Sequence, residues 1–203
     1  MKRLTAVPKG ELALVVYVLV GLCLVLLVHL ALASFLENSA TSPAARPHKQ
    51  VKLGPGFPVR LEIPKINVSA NLDYVGLTSD GALAAPDTPM SAGWYDKGPR
   101  PGEKGSAVID GHFGWRDNIP AVFDNLSTLQ KGDKIYVVDE NDRRIAFVVR
   151  ESIVYGSDGA VPAVFRSSDG KAHLNLITCE GTWNELQQSY SNRLVVFTDM
   201  VTR

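Results

Sequence analysis

The sequence predicts a mainly β domain, either a closed barrel or a sandwich, preceded by one membrane-spanning helix. Three observations carry this prediction: residues 12–36 contain no charged side chain, the later segments alternate with a period of two, and helical periodicity is scarce. The chain has 203 residues, of which 45% are hydrophobic, so it can bury one good core. Disorder and collagen-like repeats are therefore excluded.

The apolar segment at residues 12–36 is longer than the roughly 20 residues needed to cross a bilayer core. Three basic residues precede it and Glu37 follows it, so the positive-inside rule places residues 1–11 in the cytoplasm. We expect a single-pass protein of the cell membrane that contacts lipid through this segment and carries its domain outside the cytoplasm. The alternative is a cleaved signal peptide, whose apolar region is typically shorter, about 7–15 residues.

Residues 37–56 form a predicted flexible linker because they are rich in Pro, Ser and Thr and offer little apolar surface to bury. The folded domain is predicted at residues 57–203. Its first strand alternates Val59, Leu61 and Ile63 with charged residues, the pattern of a half-buried strand.

Further strand candidates lie between Gly- and Asp-containing turn signals. They are residues 106–109, 134–139, 144–152, 173–179 and 193–198. Only residues 120–129 and 161–166 have a helical pattern, of about two turns at most, so a barrel or sandwich is expected.

Charge and cysteine content exclude two further classes. Residues 1–56 carry six Lys or Arg against two Glu, whereas residues 57–203 carry fifteen against nineteen acidic residues. The domain is therefore mildly acidic and lacks the basic cluster typical of nucleic-acid binding. Two cysteines, Cys23 and Cys179, provide neither a disulfide framework nor a Cys-rich zinc site.

Cys179 is a candidate nucleophile because it ends a predicted strand just before a polar loop, although a lone Cys is more often buried. A nucleophilic Cys needs a proton-handling partner, most often His. His29 lies in the span, His48 in the linker, and His173 about 20 Å back along the same strand. His112 remains as the candidate partner.

Arg193 is the third candidate, at the start of the strand that follows Cys179. If these two strands are antiparallel neighbours, both side chains lie at one end of the sheet. The guanidinium is always cationic and suits an anionic intermediate or substrate carbonyls. The alternative is an arginine exposed to solvent or in a surface ion pair.

The sequence Leu-Asn-Leu-Ile-Thr-Cys179, with Gly-His112 before it and Arg193 after it, resembles the sortase family. The family pattern before the nucleophile is Thr-Leu-x-Thr-Cys, and Asn175 replaces its first Thr. The segment LEIPKINVSANL at residues 61–72 is similar to the family's opening strand. The resemblance covers residues 57–203.

This resemblance implies an eight-stranded β-barrel and a cysteine transpeptidase of Gram-positive-type bacteria. Cys179 would be the nucleophile, His112 the general acid and base, and Arg193 the stabilising cation. The expected substrates are secreted proteins with a C-terminal signal resembling Leu-Pro-x-Thr-Gly, cleaved between Thr and Gly through a thioester. The acyl group would pass to an amine of a peptidoglycan precursor or a pilin Lys, and the scheme requires no cofactor and no metal.

Finer features are also predicted. Class F is the most similar subclass, with classes D and E as alternatives. Some sortases bind calcium, and Asp139, Glu140 and Asp142 are available, although a solvated turn is the favoured interpretation. Residues 156–170 are either a specificity region or a loop whose apolar residues plug the core.

Two other functions remain open at this stage. A membrane-anchored cysteine endopeptidase would use the same thiol site but deliver the acyl group to water. A non-catalytic β-domain that binds a surface partner would keep Cys179 buried.

Overall fold

The structure, a computed structural model, describes residues 19–30, 54–79, 81–157 and 162–202. Residues 19–30 are helical. Among the described residues, no helix combines the length and the apolar character needed to cross a bilayer. The two ends of the predicted span, residues 12–18 and 31–36, lie outside the described residues, as does most of the predicted linker.

Eight strands close into a barrel, as predicted. They are β1 (Pro58–Ile63), β2 (Val68–Val75), β3 (Ala92–Tyr95), β4 (Gly105–Gly111), β5 (Lys134–Asp139), β6 (Arg144–Gly156), β7 (Ala172–Asn184) and β8 (Ser189–Met200). Around the barrel their order is β1-β2-β3-β4-β7-β8-β6-β5, and β5 pairs with β1 to close it. The pairs β2/β3 and β4/β7 are parallel, and the others are antiparallel.

Every second residue of a strand points into the barrel, and these inward-facing side chains fill its interior. This arrangement explains why a hydrophobic period of two predicted the strands. Leu61, Ile63, Phe147, Leu174 and Leu176 are all fully buried in one cluster. The opposite face of β4, β7 and β8 carries a second apolar cluster outside the barrel. The short helix α1 (Pro162–Phe165), within the predicted helical segment, packs on this outer face.

The predicted strands were found, but two more were missed and several are longer. β2 and β3 were not predicted as separate strands, and the second is only four residues long. The predicted helix at residues 120–129 is wrong: this segment consists of turns and one 3-10 turn, Leu126–Thr128. The cause is Asp124, whose carboxylate accepts the backbone amides of Gly114 and Ala121 and thereby fixes a compact turn.

The β5–β6 turn is exposed at Glu140, Asn141 and Asp142, as expected, whereas Asp139 is buried. Asp139 is 1% exposed and accepts hydrogen bonds from the backbone amides of Gly56, Asn141 and Arg143. The Arg143 guanidinium lies 2.8 Å from the same carboxylate. The Asp139 carboxylate thus holds Gly56, just before β1, against the β5–β6 turn.

Candidate functional site

Cys179 lies on the outer face of β7. Leu174, Leu176 and Thr178 are buried on the inner side of this strand, so Ile177 and Cys179 project outward. The sequence suggested that this strand ends at Cys179, but it continues to Asn184. The thiol is half-buried within a paired strand, which fixes its direction better than a loop would.

Arg193 is the direct cross-strand partner of Cys179 in the β7/β8 register. The expected antiparallel pairing of the two strands is confirmed, and directly opposite residues share a face, although both strands extend past this pair into a hairpin. Arg193 does not open its strand, however, since β8 begins at Ser189. Its guanidinium donates to the carbonyls of Tyr190 (3.0 Å) and Asn192 (2.9 Å) and to the Ser189 hydroxyl (3.0 Å). These bonds hold the cation against residues 180–192 of the β7–β8 hairpin, which we call the hairpin arm, beyond the thiol.

His112 follows the last residue of β4 and is fixed on several sides. Its Nε2 lies 2.7 Å from the Pro86 carbonyl, and because a carbonyl only accepts, Nε2 carries the proton of this bond. The Trp115 ring packs edge-on at 4.5 Å between centroids, and the Phe123 amide donates to the His112 carbonyl. Nδ1 is therefore the ring nitrogen left for chemistry.

A buried hydrogen bond joins the strands that carry His112 and Cys179. The Thr178 hydroxyl donates to the Gly111 carbonyl at 2.7 Å. The β4/β7 register ends one step earlier, at Asp110 and Ile177, so this bond continues the pairing up to the two candidate residues. Gly111 is required by packing: a Cβ there would lie 2.5 Å from the Phe123 ring.

The three predicted residues line one cavity of about 580 Å³. Its walls also include aromatic residues from the turn after β4 and from the β7–β8 hairpin. The lining consists of His112, Phe113, Gly114, Trp115, Arg116, Cys179, Trp183, Gln188, Ser189, Tyr190 and Arg193. The structure thus brings together the three residues that sequence analysis selected.

The surroundings of Cys179 shift its pKa upward. Burial raises the pKa of Cys179, Arg193 opposes this effect, and the negative charge of Asp110 adds to it. Burial also raises the pKa of Asp110 to about 7, although the Gly111 amide and Arg193 favour its charged form. Sequence analysis missed Asp110, for which the available signal was a carboxylate at the end of an apolar strand, two residues before His112.

Residues 162–165 of the predicted specificity region cover part of the outer face. Val164 is 2% exposed in the outer cluster, whereas Phe165 is partly exposed and packs edge-on against Tyr95. Asn175, which replaces the family's Thr, donates from its amide to the Val164 carbonyl at 2.6 Å. The departure from the family pattern therefore has a local role, since it fastens α1 to β7. Residues 158–161 lie outside the described residues.

Comparisons with known proteins agree on one family. A family model described as a sortase domain matches residues 61–201. The barrel is similar to sortase C-1 from Actinomyces oris, with 26% identity, coverage of 72% of this chain and 76% of that chain, and a TM-score of 0.56. No curated protein matches the chain.

Two further solved structures show the fold alone because their identities are low. A lid mutant of sortase A from Corynebacterium diphtheriae has 20% identity, coverage of 75% and 74%, and a TM-score of 0.57. Sortase C from Clostridium perfringens SM101 has 21% identity, coverage of 74% and 73%, and a TM-score of 0.53. Since the family model spans well over half of the sequence, the chain belongs to the sortase family of cysteine transpeptidases.

Proposed function

We propose that Cys179, His112 and Arg193 perform the transpeptidation on a C-terminal sorting signal resembling Leu-Pro-x-Thr-Gly. The observation that carries this proposal is the register pairing of Cys179 with Arg193 beside a cavity that His112 also lines. A thiol, an imidazole and a fixed cation in one cavity are the groups that acyl transfer through a thioester requires.

In the proposed reaction, Nδ1 of His112 takes the proton of the Cys179 thiol, and the resulting thiolate attacks the Thr carbonyl of the signal and forms a tetrahedral oxyanion. The Arg193 guanidinium stabilises this charge, which requires it to exchange one of its bonds to the hairpin arm for the oxyanion. The C–N bond to Gly then breaks, and the departing amine takes a proton from His112. A thioester on Cys179 results.

The second half reverses the proton flow. An incoming primary amine gives its proton to His112, attacks the thioester carbon and displaces the Cys179 thiolate. Because the Pro86 carbonyl holds Nε2–H, we assign this proton transfer to Nδ1. Both amines must reach the imidazole, so both pass through the cavity that His112 lines, while the acyl peptide lies over the outer face beside α1.

We further propose that the enzyme is a single-pass membrane protein anchored by residues 12–36, with residues 1–11 inside and the barrel outside. The support is the length of this uncharged segment and the basic residues before it. The proposed partners are secreted proteins that carry the signal, and an amine of a peptidoglycan precursor or a pilin Lys. Class F stays our subclass prediction, on the similarity of residues 190–197.

The test is mass spectrometry of the full chain in detergent micelles with a panel of Leu-Pro-x-Thr-Gly-like peptides. We expect a thioester adduct on Cys179 and, when a glycine peptide is added, a ligated product. Cys179→Ala abolishes both, whereas Cys23→Ala, the matched cysteine control, retains them. Release of hydrolysed peptide with no amine-dependent product would instead establish the endopeptidase. Equal inertness of wild type and Cys179→Ala across the panel would overturn the proposed signal.

A further inference from the structure

Asp110 is a carboxylate next to the reaction centre that the proposed mechanism does not use. It pairs in register with Ile177 on β7, and Cys179 is two residues further along the same face. With strands about 4.8 Å apart and a rise of about 3.3 Å per residue, their Cβ atoms are about 8 Å apart. Asp110 is half-buried on β4 among apolar neighbours of the outer cluster.

The thiol and this carboxylate share one cation. Arg193 lies opposite Cys179, and its positive charge favours the ionised form of both Cys179 and Asp110. The two ionised groups repel each other across the β4/β7 pair, while Arg193, hydrogen-bonded to Tyr190, attracts both of them.

We propose that Asp110 is a positioning residue of the thiol site, whose carboxylate, diagonal to Cys179 across the β4/β7 pair, repels the thiolate and so sets the pH at which Cys179 becomes nucleophilic. When the carboxyl is neutral, this repulsion is absent and the thiolate forms at lower pH. When the carboxyl is ionised, it opposes thiolate formation. Peptide binding over the outer face would remove water from Asp110 and favour its neutral form.

Within the part of the chain that the structure describes, the elements beside Asp110 carry few other charges, and Arg116 of the turn after β4 lines the same cavity as Cys179. His112 follows Asp110 by two residues, just after the end of β4. On β8, the charged neighbour is Arg193, described above. β3 presents Gly93 in register and then Tyr95, with Asp73 of β2 beyond Gly93. Glu180 is on β7 after Cys179, and α1 contains no charged residue. The pKa of Asp110, about 7, means that its charge changes near neutrality, before the thiol ionises.

The test measures the pH dependence of Cys179 alkylation by iodoacetamide in full chain carrying Cys23→Ala, so that one thiol reports. At an effective dielectric of about 20, two charges about 8 Å apart shift each other's pKa by roughly 1.5 units, and exposure to water reduces this shift to about one unit. We expect Asp110→Asn to lower the midpoint by about one unit. A more acidic thiolate is also less nucleophilic, so the plateau rate falls about threefold while the rate below the midpoint rises about threefold. A purely structural defect would not make the two profiles cross.

Two variants serve as controls. Asp110→Glu keeps the charge and should keep the midpoint near wild type. Asp142 has a backbone φ of 58°, a conformation that Asn adopts readily. Asp142→Asn therefore removes a carboxylate of the β5–β6 turn and should leave the profile unchanged. Coincident midpoints for wild type and Asp110→Asn, or equal shifts for the Asn and Glu variants, would overturn the proposal.

If Asp110→Asn does not fold, the same coupling can be read in reverse on the unmutated carboxyl. The ¹³C resonance of Asp110 should titrate at lower pH when Cys179 carries a trimethylammonium-ethyl disulfide than when it carries a neutral methyl disulfide. Equal titration in the two adducts would refute the coupling. The catalytic consequence rests on the proposed function, but neither measurement uses a sorting signal, so the two can fail independently.

Discussion

Replacing Thr178 by Val removes the hydroxyl that joins the strand of the proposed nucleophile to the turn of the proposed base. The Gly111 carbonyl then loses a buried partner that lies 2.7 Å away, which costs about 1–3 kcal/mol of unfolding free energy. For a barrel of this size, this corresponds to a fall in Tm of about 2–10 °C. Thermal unfolding followed by tryptophan fluorescence measures it, since Trp94, Trp115 and Trp183 all belong to the folded domain.

The same change should affect the rate beyond its effect on stability. Since the hydroxyl sets the spacing between His112 and Cys179, its loss should reduce kcat of the ligation assay by about tenfold to a hundredfold. Thr178→Ser keeps the hydrogen bond and should recover most of the rate.

The matched control is Thr198→Val. Thr198 is also fully buried, and its hydroxyl donates to the Leu174 carbonyl at 2.7 Å, far along β7 from Cys179. We expect a similar loss of stability with kcat near wild type. Equal rate losses in the Thr178→Val and Thr198→Val proteins would refute the reasoning, because the effect would then follow from general destabilisation.

Three further predictions follow from buried contacts. Gly111→Ala should lower the unfolding free energy by about 1–3 kcal/mol, because its Cβ would overlap the Phe123 ring, whereas Gly76→Ala, which has open space, should be near neutral in the same denaturant titration. The pKa of Asp139 is lowered: burial alone would raise it, but the amide and Arg143 hydrogen bonds prevail. Its stabilisation is thus present above its unfolded pKa of about 3.9 and lost as pH falls through the lower folded pKa, so Asp139→Asn should flatten the acid limb of stability against pH. Asn175→Ala should speed tryptic cleavage in the segment around α1, because the bond to the Val164 carbonyl is lost.

The barrel could be predicted from sequence where strands alternate apolar and polar residues, and it could not where packing decides the structure. β5 was placed at its observed bounds because its inward residues repeat every second position. β3 has four residues, three of them buried, and therefore shows no alternation. The wrong helix at residues 120–129 has the same origin, because its apolar residues join the barrel core from successive turns rather than from an α-helix.

The candidate site was largely predictable because elimination among four histidines requires no coordinates. What sequence could not supply was register. Direct pairing of Cys179 with Arg193, and the diagonal position of Asp110, depend on which residues of β4, β7 and β8 lie side by side. Register in turn depends on the fit of the whole barrel, including the bulge after Glu180, so it cannot be read from any one strand.

In the structure without substrate, the protein itself hydrogen-bonds two of the three proposed catalytic groups and partly buries the third. His112 contacts the Pro86 carbonyl, Arg193 contacts the hairpin arm, and the pKa of Cys179 is raised by burial. A thiol of raised pKa carries little thiolate, and thiolate is the form that oxidants attack. For an enzyme whose barrel lies outside the cytoplasm, as proposed here, this resting arrangement would protect the nucleophile. The acyl peptide, by covering Asp110 and drawing Arg193 toward the oxyanion, would then supply both the substrate and the conditions under which the thiol reacts.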